Sequence, residues 1–161
     1  MQNRGIKKDY NGAIKEANKA VSLNPNGAEE IAGLAFIYCF AGEPEKGIQL
    51  MKRAFRLNPV PPSHYYNYLG IAYSMVGQVQ KAIEILKQGI SIDPKPITQY
   101  LTLATCYIVL NQTEQAKATA NRVLELYPNF NLEYYKNMLP YKNPKMLNIH
   151  IEALRKAGLS E

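Results

Sequence analysis

Two histidines, two cysteines and thirteen carboxylates are the side chains of this chain that could do chemistry. A general base, a nucleophile or a metal centre needs such groups at set spacings. His64 and His150 are solitary in the sequence, with no acidic partner at a spacing that argues for catalysis, so both read as surface or packing histidines. Cys39 and Cys106 form no CxxC or His/Cys cluster and read as buried packing residues rather than a disulfide. There is no Gly-rich phosphate loop, no Walker motif, no H-E-x-x-H and no G-x-S-x-G. Asn111-Gln-Thr113 matches a glycosylation acceptor only by chance. The expectation is therefore no catalytic, cofactor-binding or metal-binding residue and no enzyme activity in this chain. What remains is recognition.

Any recognition surface must be held by the elements around it, and these repeat. Pro25, Pro59, Pro94 and Pro128 are spaced by 34, 35 and 34 residues. Ala13, Gly47, Ala82 and Ala116 keep the same three intervals, and Tyr38, Tyr73 and Tyr107 keep the last two. The best example runs from Ser63 to Pro96. Tyr66, Leu69, Gly70 and Tyr73 share one face of a first helix, and Ala82 and Leu86 lie on a second. Gly70 and Ala82 are small where two antiparallel helices cross. Gly77 fits a left-handed turn between them, and Pro94 ends the second helix.

This stretch resembles the tetratricopeptide repeat, an aromatic followed by x2-L-G-x2-Y, then A-x3-F and a closing proline, with Leu86 where the pattern prefers Phe. The resemblance covers about residues 9–130 and implies an all-α fold, a right-handed α-α superhelix with C-terminal capping helices. The expected solenoid spans 1–130, as a partial repeat 1–27 and repeats 28–62, 63–96 and 97–130, followed by caps in 131–161. The first unit is expected to hold only a second helix, from Tyr10 to Leu23, with Ala13, Ala17 and Ala20 inward, as in a piece of a longer protein. Asn26 and Glu29 read as a capping pair, Asn111 as a left-handed turn residue, and Val60-Pro61-Pro62 as a stiff connection. Asn143, Pro144 and Gly158 bracket a last helix whose apolar residues fall on more than one face. One face is expected to cover the final repeat.

The same resemblance implies a concave groove lined by first helices. Its partner-binding residues are expected to be Phe36, Phe40, His64, Asn67, Tyr68, Ile71, Met75, Leu101 and Thr105. Family members that grip a C-terminal carboxylate do so with Lys, Arg and Asn. Only Asn67 matches, so acidic chaperone-tail peptides are not expected to bind. The lining suits an extended segment or a helix of a protein partner. Asn58-Pro-Val-Pro-Pro62 and the ending Glu152-Ala-Leu-Arg-Lys-Ala-Gly-Leu-Ser-Glu161 are similar, more narrowly, to tetratricopeptide regions attached to bacterial class III adenylate/guanylate cyclases. That likeness implies an accessory or substrate-presenting role beside a catalytic domain as the alternative to a scaffold.

The net charge of +6 comes mainly from the ends of the chain. Residues 1–27 hold five bases against two acids, whereas 97–128 hold two of each. A phosphate track would need a basic stripe, so no nucleic-acid partner is expected. Met1 to Gly5 has no apolar run behind it and no stretch could cross a bilayer. No membrane partner and a cytoplasmic location are the corresponding expectations.

Overall fold

The computed structural model describes residues 8–161. The reading of Met1 to Gly5 as free of a leader lies outside these residues. Among them are nine α-helices and no strand: α1 Tyr10–Leu23, α2 Ala28–Phe40, α3 Pro44–Leu57, α4 Ser63–Met75, α5 Val79–Ile92, α6 Ile97–Val109, α7 Thr113–Leu126, α8 Leu132–Met138 and α9 Pro144–Lys156. Helices α2 and α3, α4 and α5, and α6 and α7 pack as pairs. Neighbouring pairs stack through α1 on α2, α3 on α4 and α5 on α6, while α4 touches both α2 and α6. The result is a right-handed α-α superhelix with α2, α4 and α6 on its inner side.

The turns inside the pairs are built alike. Gly42, Gly77 and Asn111 have φ of 96°, 77° and 57°. Beyond each, the next amide donates back to a tyrosine carbonyl: Glu43 to Tyr38 at 2.9 Å, Gln78 to Tyr73 at 2.9 Å and Gln112 to Tyr107 at 2.8 Å. This is the Schellman closure, which satisfies carbonyls that the helix end leaves open. The periodic tyrosines and the turn residues are thus two halves of one cap. Asparagine serves at 111 because its short polar side chain tolerates the left-handed region.

The interior runs on from pair to pair. Ile31, Ala35, Met51, Ala54 and Tyr65 join the first two pairs. Ala82, Leu86, Ala104, Ala116, Ala120 and Val123 continue toward the C-terminus. Phe55 meets Tyr66 edge-on at 5.0 Å across the α3–α4 junction. At the other end α1 has no buried residue. Ala17 and Ala20 are half-buried, but Ala13 is exposed, contrary to its expected inward position, because α2 is the partner that α1 packs on. The capping pair is also corrected. Gly27 is the N-cap of α2, one residue past Asn26, and having no side chain it makes no side-chain cap, while Glu29 pairs with His64.

After α7 the chain does more than cover the last repeat. Helix α9 packs on α6 and α8 packs on α9. Leu132 donates its amide to the Ser160 carbonyl at 3.1 Å, tying the two ends of this segment together. Asn143 caps α9, its side chain accepting from the Lys145 amide at 2.9 Å, and Pro144 occupies the first turn. Asn143→Ala should lower stability by about 0.5–2 kcal/mol; urea unfolding of the two chains measures the difference.

Candidate functional site

The inner wall is aromatic. Phe36 on α2 lies 4.7 Å, centroid to centroid, from both Phe40 and Tyr68, joining α2 to α4. Helical spacing places Phe36 and Phe40 one turn apart on one face. At the rim His64 Nε2 lies 2.8 Å from Glu29 Oε1, and the His64 ring is 5.4 Å from Tyr68. Both members of that pair are well exposed, so it ties α2 to α4 only weakly. The Tyr68 hydroxyl is held above its ordinary pKa by burial first and by Glu29 second.

Deeper in, Asn67 is buried and donates Nδ2 to Thr98 Oγ1 at 3.3 Å, linking α4 to α6. Its Oδ1 is buried without a partner. Ile71 and Met75 form the floor beside it. Thr105 is already engaged: its Oγ1 lies 3.1 Å from the Leu101 carbonyl and 2.7 Å from His150 Nδ1. The other ring nitrogen of His150 lies 3.1 Å from the Tyr135 hydroxyl. With the Thr105 proton given to Leu101, Nδ1–H donates to Thr105 and Nε2 accepts from Tyr135. The neutral ring is then fully bonded. Burial pushes the His150 pKa down to about 4.

The groove is not open along its length, because the chain's own segment between α8 and α9 lies across it. The Lys142 amide donates to the Phe40 carbonyl at 2.9 Å. The Tyr141 ring meets Phe40 edge-on at 4.8 Å and lies 6.2 Å from His150. Lys8 Nζ donates to the Leu139 carbonyl, and Lys142 Nζ stands 5.9 Å over the Tyr10 ring. Between this arm and the wall remains a cavity of about 330 Å³. Among the described residues no Lys, Arg, Asp or Glu lines it. No group of His, Cys, Asp or Glu among the described residues could hold a metal ion.

Of the expected groove residues, Phe36, Phe40, Asn67, Ile71, Met75 and Thr105 share this cavity. His64 and Tyr68 stand at the rim of the same wall. Leu101 does not reach the groove: it is fully buried with Leu132, Ile151 and Leu154, because α9 covers that side of α6. Tyr135, Tyr141 and His150 were missed as groove residues. The available signal was the spread of apolar residues around α9, whose Ile151 and Leu154 enter the core while Met146, Ile149 and His150 face the cavity. Cys39 and Cys106 are unpaired and buried, and burial pushes both thiols up to about 12. They pack as the sequence indicates.

Paired helices stacked side by side around an aromatic inner wall define a helical-repeat solenoid. The chain is a tetratricopeptide-repeat solenoid in fold, and residues 75–139 match the family model described as "Tetratricopeptide repeat". The crystal structure of MamA is similar, with a TM-score of 0.67 and 24% identity, over 98% of this chain and 94% of that one. A thermophilic TPR protein in Thermus thermophilus matches with a TM-score of 0.70 and 19% identity, over 92% of this chain and 77% of its own. YrrB, described as a TPR protein with an unusual peptide-binding site, matches with a TM-score of 0.60 and 17% identity, over 92% and 76%. No curated protein matches the sequence.

Proposed function

We propose that this chain is a protein-interaction module that takes an extended segment of a partner along its concave face. The contact residues are Phe36, Phe40, His64, Asn67, Tyr68, Ile71, Met75 and Thr105. The observation that carries this reading is the aromatic cluster joining α2 to α4, whose Phe36 and Phe40 line a cavity with no charged side chain among its described lining residues. Such a wall suits apolar and aromatic side chains of a peptide, which supply most of the binding energy at interfaces. The peptide-binding site in the description of YrrB is in keeping with it. No helix among the described residues is long and apolar enough to cross a membrane, and two buried thiols accord with action in the cytoplasm.

The ending that carries part of the cyclase likeness has a folding explanation. In the closing segment Leu154, Ala157 and Leu159 are buried, Gly158 has φ of 105°, and the Leu159 amide closes onto the Leu154 carbonyl at 3.1 Å. That ending is a helix cap with its apolar contacts, and packing accounts for it without an attached enzyme.

The test compares partners captured by the wild type and by Phe36→Ala/Tyr68→Ala at equal helicity. Recovery of the bound protein should drop about tenfold or more, since truncating a buried aromatic anchor removes about 1–4 kcal/mol. Equal recovery would refute the groove. Acidic chaperone-tail peptides should show no saturable binding, because a carboxylate in this cavity would have no cation to meet.

A further inference from the structure

The structure holds an example of what the groove accepts. From Leu139 (φ −72°, ψ 130°) to Asn143 (φ −90°, ψ 110°) the arm is bounded by extended residues, and Pro140 disfavours helical geometry in Leu139 before it. Its amide at Lys142 satisfies the Phe40 carbonyl, one of the open carbonyls at the end of α2. Its Tyr141 ring completes the cluster begun by Phe36, Phe40 and Tyr68. These are the two marks of a recognised extended peptide: a main-chain hydrogen bond, and a side chain in a matching niche.

The arm is also an incomplete filler. The cavity of about 330 Å³ left beneath it is about twice the volume of an apolar cavity that admits benzene, roughly 150 Å³. An occupant with more apolar bulk gains contacts that the arm does not make. None of the described residues that line the space is charged, so the buried part of that occupant is neutral. Besides these contacts, tethering gives a segment of the same chain an effective concentration on the order of millimolar.

Resting on the function proposed above, we infer that the partner segment has the chemistry of the chain's own Leu139–Lys142 and binds by displacing it. It is extended, presents an aromatic ring to Phe40 and an N–H to the Phe40 carbonyl, and carries a bulky apolar neighbour. The arm is the resting occupant, and the groove becomes available when a better-fitting segment competes.

The experiment uses the full chain and a fluorescent peptide with the sequence of residues 137–143, followed by anisotropy. Tyr141→Ala in the protein loosens the arm while leaving the wall intact. It should bind this peptide about tenfold more tightly than the wild type does, the factor expected from one aromatic contact. A peptide with Tyr141→Ala should show no such binding. If Tyr141→Ala loses helicity, Lys142→Pro replaces it, removing the N–H donor outside any helix. Equal affinity of wild type and variant, or no binding by either, overturns the inference. Should that happen while Phe36→Ala/Tyr68→Ala still abolishes capture of a partner, the groove stands and only its proposed occupant falls. If capture is also unaffected, both fall.

Discussion

Leu86→Ala should destabilise the chain by about 2–5 kcal/mol, the range for emptying a fully enclosed leucine site. Leu86 is completely buried between α4 and α5. Its neighbour across the pair is Gly70, where an added Cβ would fall 2.6 Å from Leu86 Cγ. Gly70→Leu should therefore destabilise by about 1–3 kcal/mol through overpacking. Combined, the two changes should cost less than their sum, because truncating Leu86 makes room for the new side chain at 70. Urea unfolding of the four chains measures this. Strict additivity would mean that the two positions do not compete for one space, and the small-against-large logic of the pair would fail.

The second large effect depends on pH. His150 is buried against Thr105, Tyr135 and Tyr141, with no charged group among these neighbours. Burial lowers its pKa from 6.5 to about 4. The unfolded chain therefore takes up a proton near pH 6.5 that the folded chain refuses until about pH 4. The sign follows: the stability from this site is complete above pH 6.5 and is lost as pH falls through the window to about 4. Its size is on the order of 3 kcal/mol, at about 1.4 kcal/mol per unit. Carboxylates titrate in the same region, so the measurement is the difference between wild type and His150→Gln. That difference should shrink as the pH is lowered. A constant difference would show that the ring is not held neutral by its surroundings.

The repeat was legible because each of its requirements is local and recurs. Gly42, Gly77 and Asn111 announce the same turn three times, and the tyrosines that cap those turns keep step with them. Gly70 opposite Leu86 could be read from one helix pair alone. The cavity lining was legible only where it obeys that period: Phe36, Phe40, Asn67, Ile71, Met75 and Thr105 line it at the places the repeat assigns them. Leu101 has the same periodic place, yet α9 covers it, and no rule of spacing within the repeat foretells that. Tyr141 reaches Phe40 across about one hundred positions of sequence, without any repeat to mark the distance. Ala13 misled for the reverse reason, since the pattern specifies a small residue whether or not another helix lies against it.

The tie between Lys142 and Phe40 also has a consequence for how the chain emerges. Contacts within and between adjacent helix pairs are short-range and form early, whereas closing a loop of that span is slow. During synthesis the wall carrying Phe36, Phe40 and Tyr68 is complete well before Tyr141 leaves the ribosome. The nascent protein thus passes through an interval with its inner face uncovered, in which its aromatic side chains are most exposed to sticking.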